Sequence, residues 1–226
     1  MHIEPGVVDG AKIILSYGAA AAALAGAAWL ALDSVRRHGL VQLLGRSLIA
    51  ALIVFFCFEV LPHHPVGVSE VHLIVGTTLF LLFGPAAAAI GLTAGLLAQG
   101  VFFAPADLPQ YGMNVTTLLV PLFAIIALAK KIIAPDIPYV DLTYAQTFKL
   151  SLAYQGGIVA WVGFWALYGH GFGAENLAEI ASFGGAYLLV VTIEPLIDLG
   201  VLAIAKAFHG LRNSPLLERR LYAAHG

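Results

Sequence analysis

The first two residues of the chain, Met1-His2, carry the nitrogen donors of a planar metal site. If the α-amine of Met1 is free, that amine, the peptide nitrogen of His2 and the imidazole Nδ1 of His2 can close two fused chelate rings around one ion. A fourth planar position is then left for another ligand. Such a nitrogen-rich, square-planar site suits Ni(II) and Cu(II), and low-spin Co(II) can adopt it, whereas Mg, Ca and tetrahedral zinc prefer other geometries.

Three histidines in one later loop are candidates for the fourth ligand: His63, His64 and His72. We favour His72 because it stands at the start of a short predicted helix, from which its ring can point into a cavity between helices. His63 and His64 lie in a loop flanked by prolines and can equally be solvated. For each of the three, the alternative interpretation is an amphipathic anchor at a membrane interface.

The composition indicates the elements that must position these residues. Hydrophobic residues make up 60% of the 226-residue chain and charged residues only 11%, whereas soluble domains average about a quarter charged. Because backbone groups in lipid must be satisfied within the segment, the long apolar stretches are predicted to be helices. The net charge of −2 and the lack of a basic face exclude nucleic acid as an expected partner.

The pattern of apolar windows predicts an all-α, polytopic membrane protein of about seven transmembrane helices, forming one integral membrane domain over residues 1–226. The third span is short and ends at Gly84-Pro85, and proline suits a first helical position, so spans three and four are predicted to be two antiparallel helices. The predicted spans are about 13–32, 43–61, 72–83, 85–103, 113–134, 148–168 and 182–206.

The distribution of lysine and arginine predicts the orientation. Ten of the eleven basic residues fall on one side of the predicted membrane, in loops or near the ends of spans, and Lys12 is the exception. Because positive residues collect on the cytoplasmic side, the N-terminus is predicted outside and the C-terminus in the cytoplasm. The opposite loops, 63–71, 104–111 and 169–182, contain no Lys or Arg. The chain also begins without the basic residues and cleavage site of a secretory signal, so we expect the mature protein to start at Met1.

Three groups of residues together resemble one known family. They are the opening Met1-His2-Ile3-x-x-Gly6, the segment HLIVG…LFGP from His72 to Pro85, and the amide pair Gln99 and Asn114. The sequence is similar to the CbiM/NikM family, the substrate-binding subunits of energy-coupling factor transporters for cobalt and nickel. As in the family, a histidine precedes the Gly-Pro junction by twelve residues and fifteen positions separate the glutamine from the asparagine.

The resemblance implies a ligand set and partners. The metal ligands would be the Met1 amine, His2 and His72, and the only bound group would be the transported Co(II) or Ni(II). Gln99 and Asn114 would orient the ligands or hold the inserted N-terminus, although such amides also serve as interhelical hydrogen bonds. The partners would be a membrane coupling (T) subunit and a pair of cytoplasmic ATPases in the bacterial cytoplasmic membrane. Whether a small accessory membrane protein is needed stays open, as does the choice between cobalt and nickel.

The sequence departs from the family in the loop PADLP before Asn114, at Thr117 where a second asparagine is expected, and in a turn before His72 that is one residue longer. None of these departures touches a proposed ligand. They do leave the metal preference and the loop conformation undetermined.

Two carboxylates, Glu194 and Asp198, lie four residues apart on one face of the last predicted span. Intramembrane carboxylates are functional candidates, and Glu194 resembles a family glutamate that would support the site. Pairing with a neighbouring helix is the alternative for both. In the first span, Ala19, Ala23, Ala27 and Ala31 form a small-residue stripe for packing within the chain or for docking a partner subunit. Cys57 is predicted to be a buried hydrophobe.

The chain contains no GxxxxGK[ST] sequence, no HExxH helix and no GxSxG turn. We therefore do not expect it to be an enzyme, and transport would need energy from partner subunits. The alternatives are a stand-alone metal channel or sensor that uses the same site, and a permease for an unrelated small solute in which Met1-His2 is coincidental.

Overall fold

The computed structural model describes residues 3–211, and within this range the chain forms seven α-helices and one β-hairpin. The helices are α1 (Ile13–His38), α2 (Leu40–Phe55), α3 (Gly76–Phe83), α4 (Pro85–Phe102), α5 (Tyr111–Ile132), α6 (Tyr144–His170) and α7 (Ala174–Leu211). A π-helical segment, Phe56–Val60, continues α2, and the hairpin strands are β1 (His64–Val66) and β2 (Ser69–Val71).

Six helical segments in the described range are long and apolar enough to cross a bilayer. They are Gly10–His38, Leu40–Val60, Pro85–Phe102, Pro105–Ile132, Tyr144–His170 and Ala174–Gly210. The prediction of an all-α, polytopic membrane protein is confirmed. The predicted count of seven spanning helices is not, because α3 has only eight residues.

Helix α3 is too short to cross a bilayer alone, and a non-helical segment, residues 72–75, leads into it. Residues 72–75 are not helical, so the prediction that His72 starts the third helix was wrong; α3 begins four residues later, at Gly76. The eight helical residues of α3 cover only about 12 Å, much less than the roughly 30 Å of a hydrocarbon core, and the non-helical residues 72–75 add to this length. Irregular backbone at this depth is tolerated only where protein buries it, and Ile74 and Val75 are buried.

The junction between α3 and α4 is at Gly84-Pro85, as predicted. Gly84 has φ +85°, a conformation that glycine adopts without a Cβ penalty, and Pro85 takes the first position of α4. Leu43, Ala86 and Ala87 form a small buried cluster there, against which Val35 packs. The junction therefore lies at the same end of the bundle as the basic turn that connects α1 and α2.

The loops without Lys or Arg gather at the other end. Lys12 Nζ donates to the carbonyl of Gly169 at 2.6 Å, and Tyr17 Oη donates to the carbonyl of Pro109 at 3.1 Å. The predicted loop 169–182 is mostly helical, because α7 begins at Ala174 and leaves only residues 171–173 as the turn after α6. The predicted loop 104–111 contains the 3-10 segment Pro105–Gln110.

Helices α2 and α4 pack closely, because two glycines four residues apart allow their backbones to approach. A Cβ on Gly91 would lie 2.4 Å from the Cβ of Ala50, and one on Gly95 would lie 2.6 Å from Val54. This is small-xxx-small packing, which the sequence had predicted for α1 instead. In α1, Ala23 and Ala27 are buried within the chain, so the docking interpretation of the alanine stripe fails for these two residues. Cys57 is buried as predicted.

Candidate metal site

The candidate site is built on the β-hairpin, at the end of the bundle where Lys12 contacts Gly169. Its strands pair antiparallel, with His64 opposite Val71 and Val66 opposite Ser69. The turn between them contains Gly67, where a Cβ would lie 2.2 Å from the carbonyl oxygen of Glu179 in α7. Glycine is therefore needed for the hairpin tip to pack against α7.

The N-terminal segment pairs with the free side of β2. Ile3 forms an antiparallel bridge with Ser69, and Glu4 N–H donates to the carbonyl of Val68 at 3.2 Å. The amide of Ile3 also donates to Oδ1 of Asn114 at 2.8 Å. Ile3 is fully buried and Asn114 is 1% exposed, so this hydrogen bond is closed to solvent.

Two of the predicted ligands, Met1 and His2, lie outside the described residues. The structure does fix the residue to which they are bonded, because Ile3 is held by Asn114 on one side and by Ser69 on the other. Asn114 thus contacts the N-terminal segment, which is one of the two roles predicted for it.

His72 is enclosed on several sides. The side chain is almost fully buried, and Nε2 lies 2.8 Å from Oε2 of Glu70. The ring of His63 stacks on the His72 ring with centroids 4.9 Å apart and planes 17° apart, and Phe58 packs against it at 5.2 Å with a tilted ring. Glu70 and His72 are two residues apart in extended chain, so they point to the same face.

The three candidate histidines differ in burial. His63 is half-buried, and its Nδ1 lies 3.1 Å from the carbonyl of Leu61. His64 is exposed. The structure therefore distinguishes His72, which is buried, from His64, which is exposed, and makes His63 a neighbour of the His72 ring.

Glu194 reaches the segment that follows His72. It is fully buried in α7, where its carboxylate accepts hydrogen bonds from the Ile74 backbone N–H and from the Gln155 side chain. Tyr187 Oη donates in turn to Oε1 of Gln155 at 2.7 Å. One turn further along α7, Asp198 accepts a hydrogen bond from the hydroxyl of Thr78 in α3. Glu194 thus joins α7 to the chain between His72 and α3, and Asp198 joins α7 to α3 itself.

Gln99 is buried in the last turn of α4. Within residues 3–211 no group donates a hydrogen bond to its Oε1. The backbone carbonyl of Gln99 accepts from Phe103 and Ala104, which start the connection to the helix of Asn114. Its predicted role beside the ligands stays a prediction.

Negative charge collects around the N-terminal strand. Burial raises the pKa of Glu4, and the neighbouring carboxylates of Glu70 and Asp107 raise it further. Like charges held together in this way create a negative potential that attracts cations. Among residues 3–211, however, no group of three or more His, Cys, Asp or Glu side chains is placed to hold a metal ion.

Sequence reasoning missed four residues around the site: Glu70, His63 as a stacking partner, Gln155 and Tyr187. The spacing of Glu70 and His72 would have identified their contact if the strand had been recognised, because alternate residues of a strand share a face. No local signal pairs Gln155 with Glu194, which is 39 residues away.

The fold and this end of the bundle define a class: a multi-pass helical membrane protein with an enclosed histidine near a buried N-terminal strand. The sequence matches the family model "Cobalt uptake substrate-specific transmembrane region" over residues 2–210, and the chain belongs to that family, CbiM. It is thus a membrane protein of a metal-uptake family.

Two solved structures share the fold. One, described as the crystal structure of a transition metal transporter, has a TM-score of 0.68 and 18% identity and covers 98% of each chain. Another, a truncated transition metal transporter, has a TM-score of 0.66 and 19% identity, covering 90% of this chain and 97% of that one. No curated protein matches the sequence significantly.

Proposed function

We propose that this protein is the metal-capturing subunit of an ATP-driven energy-coupling factor importer for cobalt or nickel in the bacterial cytoplasmic membrane. The ligands are the Met1 amine, the peptide nitrogen and Nδ1 of His2, and the imidazole of His72. The observation that carries the proposal is the position of Ile3, whose N–H is bound by Asn114 and which pairs with Ser69, three residues before His72 in the chain.

The register of this pairing supports the ligand set. Ile3 is opposite Ser69 in an antiparallel pair, and Glu70 and His72 follow Ser69 along the chain. In an antiparallel pair the residues before one partner lie toward those after the other, so the chain that precedes Ile3 is directed toward Glu70 and His72. This direction supports the proposal that Met1 and His2 bind the metal together with His72.

The buried amides and carboxylate give this arrangement its rigidity. Asn114 holds the strand that carries the first ligands, and Glu194 holds the extended segment that carries His72. Gln99 is proposed to contact the same region from the end of α4. Groups outside the ligand set commonly orient metal ligands in this way, and their loss costs about 10–100-fold in affinity.

The energy for import is proposed to come from partners, because the chain carries no P-loop sequence of its own. The partners are a membrane coupling subunit and a cytoplasmic ATPase pair, as the family resemblance implies. Co-purification of the ATPase pair with this chain, only when the coupling subunit is co-expressed, would support the assignment.

The ligand proposal is tested by calorimetric titration of purified protein with Ni(II) and, separately, Co(II) near neutral pH. His72→Ala should lose at least the roughly 10–100-fold in affinity that outer groups contribute. His64→Ala is the matched control, because it is an exposed histidine of the same hairpin, and it should bind as the unaltered protein does. Normal binding by His72→Ala would exclude this histidine as a ligand.

The N-terminal half of the site has its own test. One additional residue before Met1 moves the amine out of the chelate ring, so the extended protein should insert in the membrane but fail to take up metal. Mass spectrometry must show that the added residue is retained. Full uptake by the extended, unprocessed protein would remove the amine from the ligand set.

A further inference from the structure

We infer that Glu70 is a positioning residue for the metal site: its carboxylate fixes the tautomer of His72 so that Nδ1 is the nitrogen presented to the metal. The inference rests on the proposed function for the donor role of His72, but the tautomer itself is a property of the metal-free protein. The contact that carries it is the 2.8 Å separation between Nε2 of His72 and Oε2 of Glu70.

The chemistry of the pair determines the tautomer. A neutral imidazole has one N–H donor and one acceptor nitrogen, and a carboxylate only accepts. The hydrogen bond to Glu70 therefore requires the proton on Nε2, which leaves the lone pair on Nδ1. Since a metal binds the unprotonated nitrogen, Nδ1 is the donor, and the carboxylate behind Nε2 raises the basicity of the ring.

Ring stacking alone cannot determine which nitrogen of His72 faces the metal. His63 and Phe58 lie against the His72 ring and restrict its plane. A half-turn of the ring about its χ2 axis keeps the same plane and the same stacking while it moves each nitrogen to the other side. The hydrogen bond to Glu70 distinguishes these two orientations, so the aromatic neighbours fix the plane and Glu70 fixes which ring nitrogen faces the metal.

The strand geometry makes the contact local and rigid. Glu70 is in β2, where it is opposite Pro65 of β1 and directly follows Ser69, the residue that pairs with Ile3. Its backbone is therefore held, and its side chain is only partly exposed. Two residues along the chain, His72 lies on the same face, so the pair forms without any rearrangement of the hairpin.

The experiment is ¹⁵N NMR of histidine-labelled protein in detergent, with the His72 signals assigned by their absence in His72→Ala. Ring nitrogens with and without a proton differ strongly in ¹⁵N shift. In metal-free protein His72 should show the proton on Nε2. Glu70→Gln should keep that tautomer, because the amide oxygen can accept the same hydrogen bond, whereas Glu70→Ala should give a mixture. Glu175→Ala, an exposed carboxylate at the same end, is the control and should change nothing.

Added Ni(II), which is diamagnetic when square-planar, should then shift Nδ1 of His72, and Glu70→Ala should weaken nickel binding by about 10–100-fold, more than Glu70→Gln does. A proton on Nδ1 in the metal-free protein, or a nickel-induced shift confined to Nε2, would overturn the inference even if nickel binds. Protein that shows the Nε2–H tautomer but binds neither Ni(II) nor Co(II) would instead refute the proposed function, and with it the donor role of Nδ1.

Discussion

Two side-chain oxygens, one from Asn114 and one from Glu194, accept main-chain N–H groups of the two segments that must meet at the site. Asn114 accepts from Ile3 and Glu194 accepts from Ile74. Neither segment is helical, so neither can satisfy its backbone internally as a transmembrane helix does. Each acceptor is fixed in a long helix. The positions of Ile3 and Ile74, which are close in the chain to the proposed ligands, therefore depend on the bundle.

The first prediction concerns Glu194. Removing its carboxylate in Glu194→Ala leaves the Ile74 N–H and the Gln155 amide without that acceptor, in a chain segment where Val75 already has the unfavourable φ of +52° for a β-branched residue. Unsatisfied buried groups cost about 1–3 kcal/mol each. Thermal unfolding in detergent should show a clear loss of stability, and calorimetry should show weaker Ni(II) binding.

The control for Glu194→Ala is Glu175→Ala, which removes an exposed carboxylate from the same helix and should leave both quantities within error. Equal stability and equal nickel affinity for the two variants would show that Glu194 does not hold the segment after His72.

At the scale of elements, the N-terminal segment packs closely against the C-terminal end of α6. Lys12 Nζ and the ring of His170 contact the carbonyls of Gly169 and Gly6, at 2.6 and 3.0 Å. Val7 and Val8 are buried between these contacts. The approach is close enough that a Cβ on Gly169 would lie 1.7 Å from the carbonyl oxygen of Val7. The proposed metal capture at Met1-His2 would therefore depend on Gly169, which is in the last turn of α6.

The second prediction follows from that contact. Gly169→Ala should displace the N-terminal segment and lower nickel affinity, because overlap with a backbone atom cannot be relieved by a rotamer change. Gly163→Ala is the matched control: it is in the same helix, and a Cβ there has nothing within 4 Å. That control should be neutral or slightly more stable, since alanine favours the helix by about 1 kcal/mol over glycine. Unchanged nickel affinity in Gly169→Ala would mean that the contact between Gly169 and Val7 does not position the site.

The elements that sequence could predict are those with local signals. Long apolar runs identified the six long helices of the described range, and Gly84-Pro85 identified the break between α3 and α4. The start of α6 was placed four residues late, although Thr143 and Gln146 form a capping box that would have located it. The start of α7 was missed because its first turns contain Glu175 and Asn176, which interrupt the apolar pattern on which the span was drawn.

The site was only partly predictable for a different reason. His72 and Asn114 were found through spacing that resembles a family, but their contacts depend on long-range pairing. The Ile3 amide meets Asn114 across 111 positions, and the strand that Ile3 forms has no periodic pattern of its own. The hairpin is too short, at three residues a strand, for alternation to be recognised against a loop containing prolines.

At the scale of the whole molecule, the contacts show that the connections between helices lie at two ends of the bundle. The N-terminal strand, the hairpin, the 3-10 segment Pro105–Gln110 and the turn at residues 171–173 share one end. The α1–α2 turn and the α3–α4 junction share the other. Among the described residues, Lys12 is the only Lys or Arg at the first end, whereas the second end carries Arg36 and Arg37 in the last turn of α1. Two separate observations, contacts and charge, therefore divide the molecule in the same way.

The third prediction is the orientation that this division implies. Because basic residues near span ends remain in the cytoplasm, a reporter fused after Gly226 should be cytoplasmic, and a cysteine introduced at Gly173 should react with a membrane-impermeant thiol reagent added from outside. Gly173 is suitable because it is exposed in the short turn before α7, where a Cβ would meet no other atom within 4 Å. The native Cys57 is buried and provides the background. A cysteine introduced at His38, which is exposed in the last turn of α1, should react only after the membrane is permeabilised. The reverse pattern would place the candidate metal site on the cytoplasmic face, where it could not capture metal for import.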